Sequence, residues 1–379
     1  MNFVVDQQNL RCELELLQSN EFTVQSVPRP YKVSWDMNAN SCDTINAVLA
    51  KNSNNLLFID EKVFQLYGQN IHHPEDKIFK APATEQFKTL DGVTQLFDFL
   101  HSKQFTKAET LVVVGGGIIQ DVAAFAGACY KRGIKWVHFP STLLSMCDSC
   151  IGGKTGINYK ETKNQLALFS APHAVIINPN FLATLHKDDI KSGLGEILKL
   201  FITGGEPLLS HYYELVKNGE VVDPKQFKTL IFGALLAKKA VVEADEFELN
   251  LRKVLNYGHT LGHAIESLSQ FQIPHGIAVV IGMILVNEMS CALELLSYPD
   301  KEELNRLCMD LLEDRVLRIL QTIDVNKILE LIKHDKKTLG NEINFVLLKA
   351  PGDSAFVRLS IDQNLLTSIK AAFAEVVAA

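Results

Sequence analysis

The stretch NYGHTLGHAIESLSQFQIPHGIAV carries His259, His263 and His275. His259 and His263 stand four apart, which puts both side chains on one face of a helix. His275 follows a turn marked by Pro274 and Gly276. Three imidazoles with an acid from elsewhere suit a borderline divalent metal such as zinc. Spacing alone makes both helix histidines candidate ligands, and a purely structural pair is the competing account. Arg252 and Asn256 lie upstream on nearly the same face, so Arg, Asn and His together describe a pocket for an oxygen-rich anion. In SGLGEILK, Glu196 and Lys199 share a helix face at a spacing of three. Leu194, Ile197, Leu198 and Leu200 surround them, which argues against a solvated surface ion pair. The other histidines among the eleven show no pattern.

Two glycine-rich stretches come earlier. VVVGGGIIQD runs from an apolar strand through Gly115, Gly116 and Gly117 into a helix containing Asp121. Glycine lets the backbone approach a ligand closely, and the N-terminus of the next helix suits a pyrophosphate. The pattern is not G-x-G-x-x-G, so a plain tight turn competes with nucleotide binding. Asp60 ends an earlier strand, where an acid can hold a ribose hydroxyl. The segment PSTLLSMCDSCIGGKTGINYKETKN collects Ser141, Thr142, Asp148, Lys154, Lys163 and Asn164 around Gly152 and Gly153. It lacks the first glycine of a phosphate loop, but flexible backbone beside a lysine still suits an anion. A solvated loop is the alternative. Cys147 and Cys150 form a lone C-x-x-C, read here as reduced thiols rather than a redox pair.

These residues need elements to hold them. NLLFID, TLVVVGGG and KWVHFP read as strands, and they alternate with helical patterns over TEQFKTLDGVTQLFDFLHSKQF and IIQDVAAFAGACYKRG. That rhythm implies a parallel sheet covered by helices. From about Asn180 onward helical periodicity dominates, with NYGHTLGHAIESLSQF among the expected helices and INFVLLK as a late strand. The expectation is a Rossmann-like α/β domain over 1–180 and an all-helical metal-binding domain over 181–379. Ligands of such pairs usually lie between the domains.

Composition limits the function class. The 379 residues are 47% hydrophobic and 21% charged, which is globular rather than disordered. With 37 basic and 44 acidic residues the net charge is −7, so there is no electrostatic footprint for nucleic acid or an anionic membrane. The N-terminus does not read as a signal peptide, and no long apolar run suggests a membrane span. An odd set of seven cysteines with no disulfide spacing agrees with a cytoplasmic location.

Several motifs in order, GGGIIQDVAAFAGACYKRGIKWVHFPSTLLSMCDSCIGGKTGIN, GLGEILK and ADEFELNLRKVLNYGHTLGHAIE followed by HG, resemble the sugar phosphate cyclase superfamily. The resemblance is greatest to its 3-dehydroquinate synthases. It covers about 84–350, and the first 80 residues are only loosely similar. It implies a dehydroquinate synthase-like fold and a lyase of the shikimate pathway. The enzyme would convert 3-deoxy-D-arabino-heptulosonate 7-phosphate to 3-dehydroquinate and phosphate, with catalytic NAD and with zinc, or cobalt in its place.

Carried over by motif, the metal ligands are Glu196, His259 and His275. This moves His263 to the substrate, against the spacing argument. The resemblance places Asp148, Lys154, Asn164, Lys199, Lys238, Arg252, Asn256 and His263 around the substrate, with Lys336 or Lys337 contributing as well. Of these, Lys154, Lys199, Arg252, Asn256 and His263 carry the chemistry, together with Glu248. Arg132 reaches the site of a neighbouring subunit in the family's homodimer. NAD is held by Asp60, Glu85, Lys88, Gly116, Gly117, Asp121, Ser141, Thr142, Phe181 and Thr184, with Lys163 close by.

There are departures from the family pattern. Thr84 stands where the family usually has Gly, Ser141 where it has Thr, and Thr162 where it has Gly. They touch cofactor and loop positions more than the chemistry. Asn256 with Arg252 and His263 favours a carboxylated substrate over the sedoheptulose 7-phosphate of sister cyclases. A metal-dependent polyol dehydrogenase and a nucleotide-binding module without catalysis are the rival classes. The cations Lys154, Lys199 and Arg252 weigh against the first, and the intact Glu196, His259 and His275 against the second.

Overall fold

Every residue of the strand Thr110–Gly115 is buried, and Leu111 to Val114 are β-branched or γ-branched throughout. A strand apolar on both faces belongs in the middle of a parallel sheet with helices on each side. In the computed structural model it sits there. The structure describes residues 1–160, 162–333, 338–339 and 342–378. The chain divides into two compact units, one over Glu15–His186 and the other over Met1–Leu14 with Lys187–Ala379.

The 15–186 unit is built on a seven-stranded sheet. Its strands, from one edge to the other, are Glu21–Val24, Tyr31–Trp35, Ala174–Ile177, Lys135–Pro140, Thr110–Gly115, Leu56–Asp60 and Ile78–Ala81. All neighbours pair in parallel except the antiparallel edge strand Glu21–Val24. Val93, Leu96 and Leu100 on the helix Leu90–Ser102 pack into its core, as do Ile119, Val122 and Ala123 on Gly117–Cys129. The helix expected over 84–105 is therefore shorter. Residues 84–89 are taken up by turns in which Phe87 N donates to Thr84 O and Thr89 N to Phe87 O.

This topology positions the candidate cofactor residues. Asp60, Gly115 and Pro140 end three adjacent strands, so Asp60, Gly116, Gly117, Ser141 and Thr142 gather beyond their C-terminal edge. In open α/β sheets that edge is where ligands bind.

The other unit is mainly helical, as expected. Its long helices are Lys187–Gly204, Phe227–Ala244, His275–Ala292 and Gln363–Ala378. The expectation of an all-helical domain needs correction. A five-stranded sheet runs Thr338–Leu339, Glu342–Ala350, Asp353–Ser360, Asn2–Val5, Gln8–Arg11. Asn2–Val5 pairs in parallel with Asp353–Ser360, burying Phe3 and Val5. These strands are short, and the partners come from opposite ends of the sequence, so no local pattern reveals the pairing.

His275–Ala292 is long and apolar enough to cross a membrane by composition, but it is mostly buried as a core helix of its unit. Cys147 and Cys150 are buried thiols outside any disulfide, and they donate to the Leu144 and Met146 carbonyls.

One histidine outside the expected site is not incidental. His138 is fully buried on Lys135–Pro140, and its Nε2–H donates to the carbonyl of Gly115 at 3.2 Å. Burial pushes its pKa down to about 4. A histidine depressed in the folded state stabilises fully above its unfolded pKa of about 6.5 and loses that contribution as pH falls toward 4. Wild-type unfolding free energy is expected to drop across that window by up to about 3 kcal/mol more than that of His138→Gln, whose amide keeps the donor. Parallel denaturant titrations at several pH values check this, and superimposable pH curves would refute it.

Candidate active site

Glu196 comes from the middle of Lys187–Gly204, on the face turned into its unit, and is 1% exposed. His275 opens His275–Ala292, and the two helices touch backbone to backbone. A Cβ on Gly276 would lie 1.9 Å from the Ser192 carbonyl oxygen, so only glycine permits the approach. The Gly276 N–H then donates to Ser192 Oγ at 2.9 Å. His259 starts a separate helix, His259–Leu268, because Gly258 adopts φ +76° and breaks the chain there. This corrects the single helix expected over NYGHTLGHAIESLSQF. Arg252 and Asn256 sit instead on a preceding 3-10 segment, Leu251–Asn256.

The result is a tight cluster. The rings of His259, His263 and His275 lie 5.3–5.6 Å apart by centroid, and a ligating atom from each falls within 4.8 Å of the others. Glu196 divides its oxygens: Oε2 meets Lys199 Nζ at 2.5 Å, and Oε1 faces His275 Nε2 at 3.3 Å and His259 Nε2 at 3.6 Å.

The far side of each ring is already committed. His259 Nδ1 donates to the Tyr257 carbonyl at 3.2 Å, and His275 Nδ1 donates to Glu266 Oε2 at 3.1 Å. A carbonyl or carboxylate only accepts, so both rings carry a proton on Nδ1 and turn Nε2 toward Glu196. Donor atoms about 2.1 Å from one tetrahedral ion stand roughly 3.4 Å apart. The Glu196 separations match that spacing, so the residues present fit a divalent metal. Burial acts to lower the His275 pKa, but the hydrogen bonds to Glu196 and Glu266 outweigh it and raise it to about 10. Negative potential is thus concentrated where a cation would sit.

A second group lies on the loop after Phe227–Ala244. Asp245 accepts from the N–H groups of Leu249, Asn250 and Arg252 at 2.9, 2.7 and 3.0 Å. Burial raises the Asp245 pKa, but these bonds prevail and hold it below the usual carboxylate range. Arg252 is 1% exposed and its guanidinium donates to the Glu246 carbonyl. Asn256 Nδ2 donates to Glu248 Oε1 at 3.3 Å. Lys238 is buried in Phe227–Ala244. Buried cations of this kind are uncommon unless they are paired or serve a ligand.

In the 15–186 unit, Gly117–Cys129 begins at Gly116 with no side-chain cap, leaving the N-terminal N–H groups available for an anion. Beside it, Lys88 Nζ donates to Asp121 Oδ2 at 3.1 Å and to Asn164 Oδ1 at 2.8 Å. Lys163 Nζ lies 3.3 Å from Glu85 Oε1. Burial lifts the Asp121 pKa to about 6 against the pull of Lys88. Phe181 packs edge-on to Tyr67, whose hydroxyl lies 2.8 Å from Thr184 Oγ1. Asp60 Oδ1 accepts from Lys62 N, capping the next helix.

Asp148, Lys154 and Arg132 stand on separate elements of this unit: a π-helical turn, the start of a strand and a left-handed turn. In that turn Lys131, Arg132 and Gly133 all have positive φ, leaving Arg132 exposed. Lys336 and Lys337 lie outside the described residues.

Sequence reasoning missed Glu266, Asp245 and Asn158. Glu266 had a signal, since positions 259, 263 and 266 share one helix face. Asp245 and Asn158 act by bonding backbone groups, for which no residue spacing exists.

Comparisons with known proteins bear on this geometry. Residues 78–192 match the family described as 3-dehydroquinate synthase N-terminal, and 193–338 that described as 3-dehydroquinate synthase C-terminal. The 3-dehydroquinate synthase of Streptococcus pyogenes serotype M49 (strain NZ131) is 35% identical over 318 residues, 82% of this chain and 86% of its own. That of Pelagibacter ubique (strain HTCC1062) is 38% identical over 280 residues, 72% and 75%. Among solved structures, a 2-deoxy-scyllo-inosose synthase with carbaglucose-6-phosphate, NAD+ and Co2+ superposes at TM-score 0.79 and 23% identity, covering 94% and 99%. The 2-epi-5-epi-valiolone synthase ValA from Streptomyces hygroscopicus subsp. jinggangensis 5008, with NAD+ and Zn2+ bound, gives 0.72 and 23%, covering 93% and 98%. The two family matches span most of the sequence, and with them the chain belongs to the 3-dehydroquinate synthase family of sugar phosphate cyclases.

Proposed function

We propose that the chain is a 3-dehydroquinate synthase, converting 3-deoxy-D-arabino-heptulosonate 7-phosphate to 3-dehydroquinate and phosphate. The observation that carries this is Glu196 Oε1 facing the Nε2 atoms of His259 and His275, each ring held by its other nitrogen. Glu196, His259 and His275 would hold zinc, and cobalt suits the same donors. NAD would be held by Asp60, Glu85, Lys88, Gly116, Gly117, Asp121, Ser141, Thr142, Phe181 and Thr184. When bound, the metal supplies Lewis acidity at substrate hydroxyls and NAD supplies a hydride acceptor restored within each turnover.

The chain's own residues do the rest. Lys199 holds the Glu196 carboxylate in place. Arg252 offers a planar fork to the substrate carboxylate. Glu248 orients the Asn256 amide, and Lys238 and His263 serve the phosphate end. Lys154 and Asn164 add donors for the phosphate, Lys163 lies with the NAD residues, and Asp148 binds substrate. Arg132 serves a partner subunit in a homodimer. Much of the catalysis is positioning.

Phosphate release from the heptulosonate phosphate and from sedoheptulose 7-phosphate, each with NAD+ and zinc, tests the reading. Release from the first without net NADH is expected. Release only from the second indicates a sister cyclase, and accumulating NADH a polyol dehydrogenase. His263 has a separate test, because it lies among the metal-competent rings. His263→Ala is expected to keep its zinc, by metal analysis, and to lose about 100- to 1,000-fold in turnover. Loss of zinc instead would move His263 into the ligand set.

A further inference from the structure

The hairpin that carries Asn164 is irregular. Strand Lys154–Tyr159 pairs with Thr162–Phe169, but the register shifts between Thr162 and Leu166, so Lys163, Asn164 and Gln165 form a bulge. Bulges re-aim side chains and leave ladder groups without their usual partners. Asn164 also sits at φ +53°. Its backbone N–H donates to the side chain of Asn158, at Oδ1, at 3.1 Å.

Asn158 is 8% exposed and uses nearly everything it has. Its Nδ2 donates to Glu85 Oε2 at 2.7 Å and to the Glu85 carbonyl at 3.1 Å. Its backbone N–H donates to the Lys88 carbonyl at 2.7 Å. Lys88 Nζ returns to Asn164 Oδ1 and also reaches Asp121. Asn158, Lys88 and Asn164 close a ring, and Glu85 is tied to it through the Asn158 amide. Three of these carry proposed ligand roles, and Asn158 carries none.

We propose that Asn158 is a positioning residue that locks the cofactor side chains Glu85 and Lys88 to the phosphate side chain Asn164. Its amide works in two halves. The Nδ2 half fixes Glu85 on the cofactor side. The Oδ1 half supplies the missing ladder partner of the bulge and so aims Asn164. The inference rests on the proposed roles of Glu85, Lys88 and Asn164.

The halves separate by mutation. Asn158→Asp keeps the acceptor for Asn164 but loses the donor and places a carboxylate against Glu85. NAD+ affinity, by fluorescence titration, is expected to fall about 10- to 100-fold, with KM for the sugar phosphate nearly unchanged. Asn158→Ala loses both halves and both affinities. Zinc content stays full in each. In a Glu85→Gln background the amide of residue 85 donates to the new carboxylate, so Asn158→Asp is expected to cost little further affinity there. A merely structural role gives no such rescue. Equal losses in both backgrounds, or NAD+ affinity within threefold of wild type for both Asn158 variants, overturn the proposal. Lys88→Met is the control: if it leaves NAD+ affinity unchanged, the underlying cofactor assignment fails. If it weakens NAD+ binding while both Asn158 variants bind normally, only the role of Asn158 fails.

Discussion

Glu196→Gln is expected to lose bound zinc and phosphate release together, each by more than about a thousand-fold. The change is isosteric, so packing in Lys187–Gly204 is kept while the anionic oxygen facing both imidazoles is lost. It also removes the negative charge facing Lys199 in a pair whose side chains are 2% and 1% exposed. An uncompensated buried charge typically costs about 3–5 kcal/mol, so the variant should also unfold more easily. Adding Lys199→Met removes that charge. The double variant is expected to regain stability in denaturant titration without regaining zinc. Recovery of zinc along with stability would mean that Glu196 is structural.

Arg252→Lys should raise KM for the carboxylated substrate about 100-fold with a much smaller change in kcat. The lysine keeps the charge but not the bidentate fork. The backbone of residue 252 is held independently by Asp245, which limits collateral change. Steady-state kinetics check this. An unchanged KM would remove Arg252 from carboxylate recognition and point to a substrate without that group.

Much of this architecture was legible in sequence. The strand before Gly115 is apolar on both faces, so its central place in a parallel sheet follows from composition alone. Glu196, His259 and His275 required the family motifs, because spacing by itself favoured His263 equally. In the structure His259 and His275 are each fixed through Nδ1, by the Tyr257 carbonyl and by Glu266; the first is a backbone group that no residue spacing reveals. The helix start at His259 was missed because Gly258 reads as an ordinary helix-interior glycine until its φ is known. The N-terminal strands were missed because their partner lies at the far end of the chain. His138 looked incidental because its role is a single bond to the Gly115 carbonyl.

Zinc-edge anomalous diffraction from the metal-loaded protein tests the central claim most directly. The account predicts one peak bounded by Glu196 Oε1 and the Nε2 atoms of His259 and His275, with Glu266 still on the far side of the His275 ring. A peak ligated by His263 in place of Glu196, or no peak among these side chains, would contradict it.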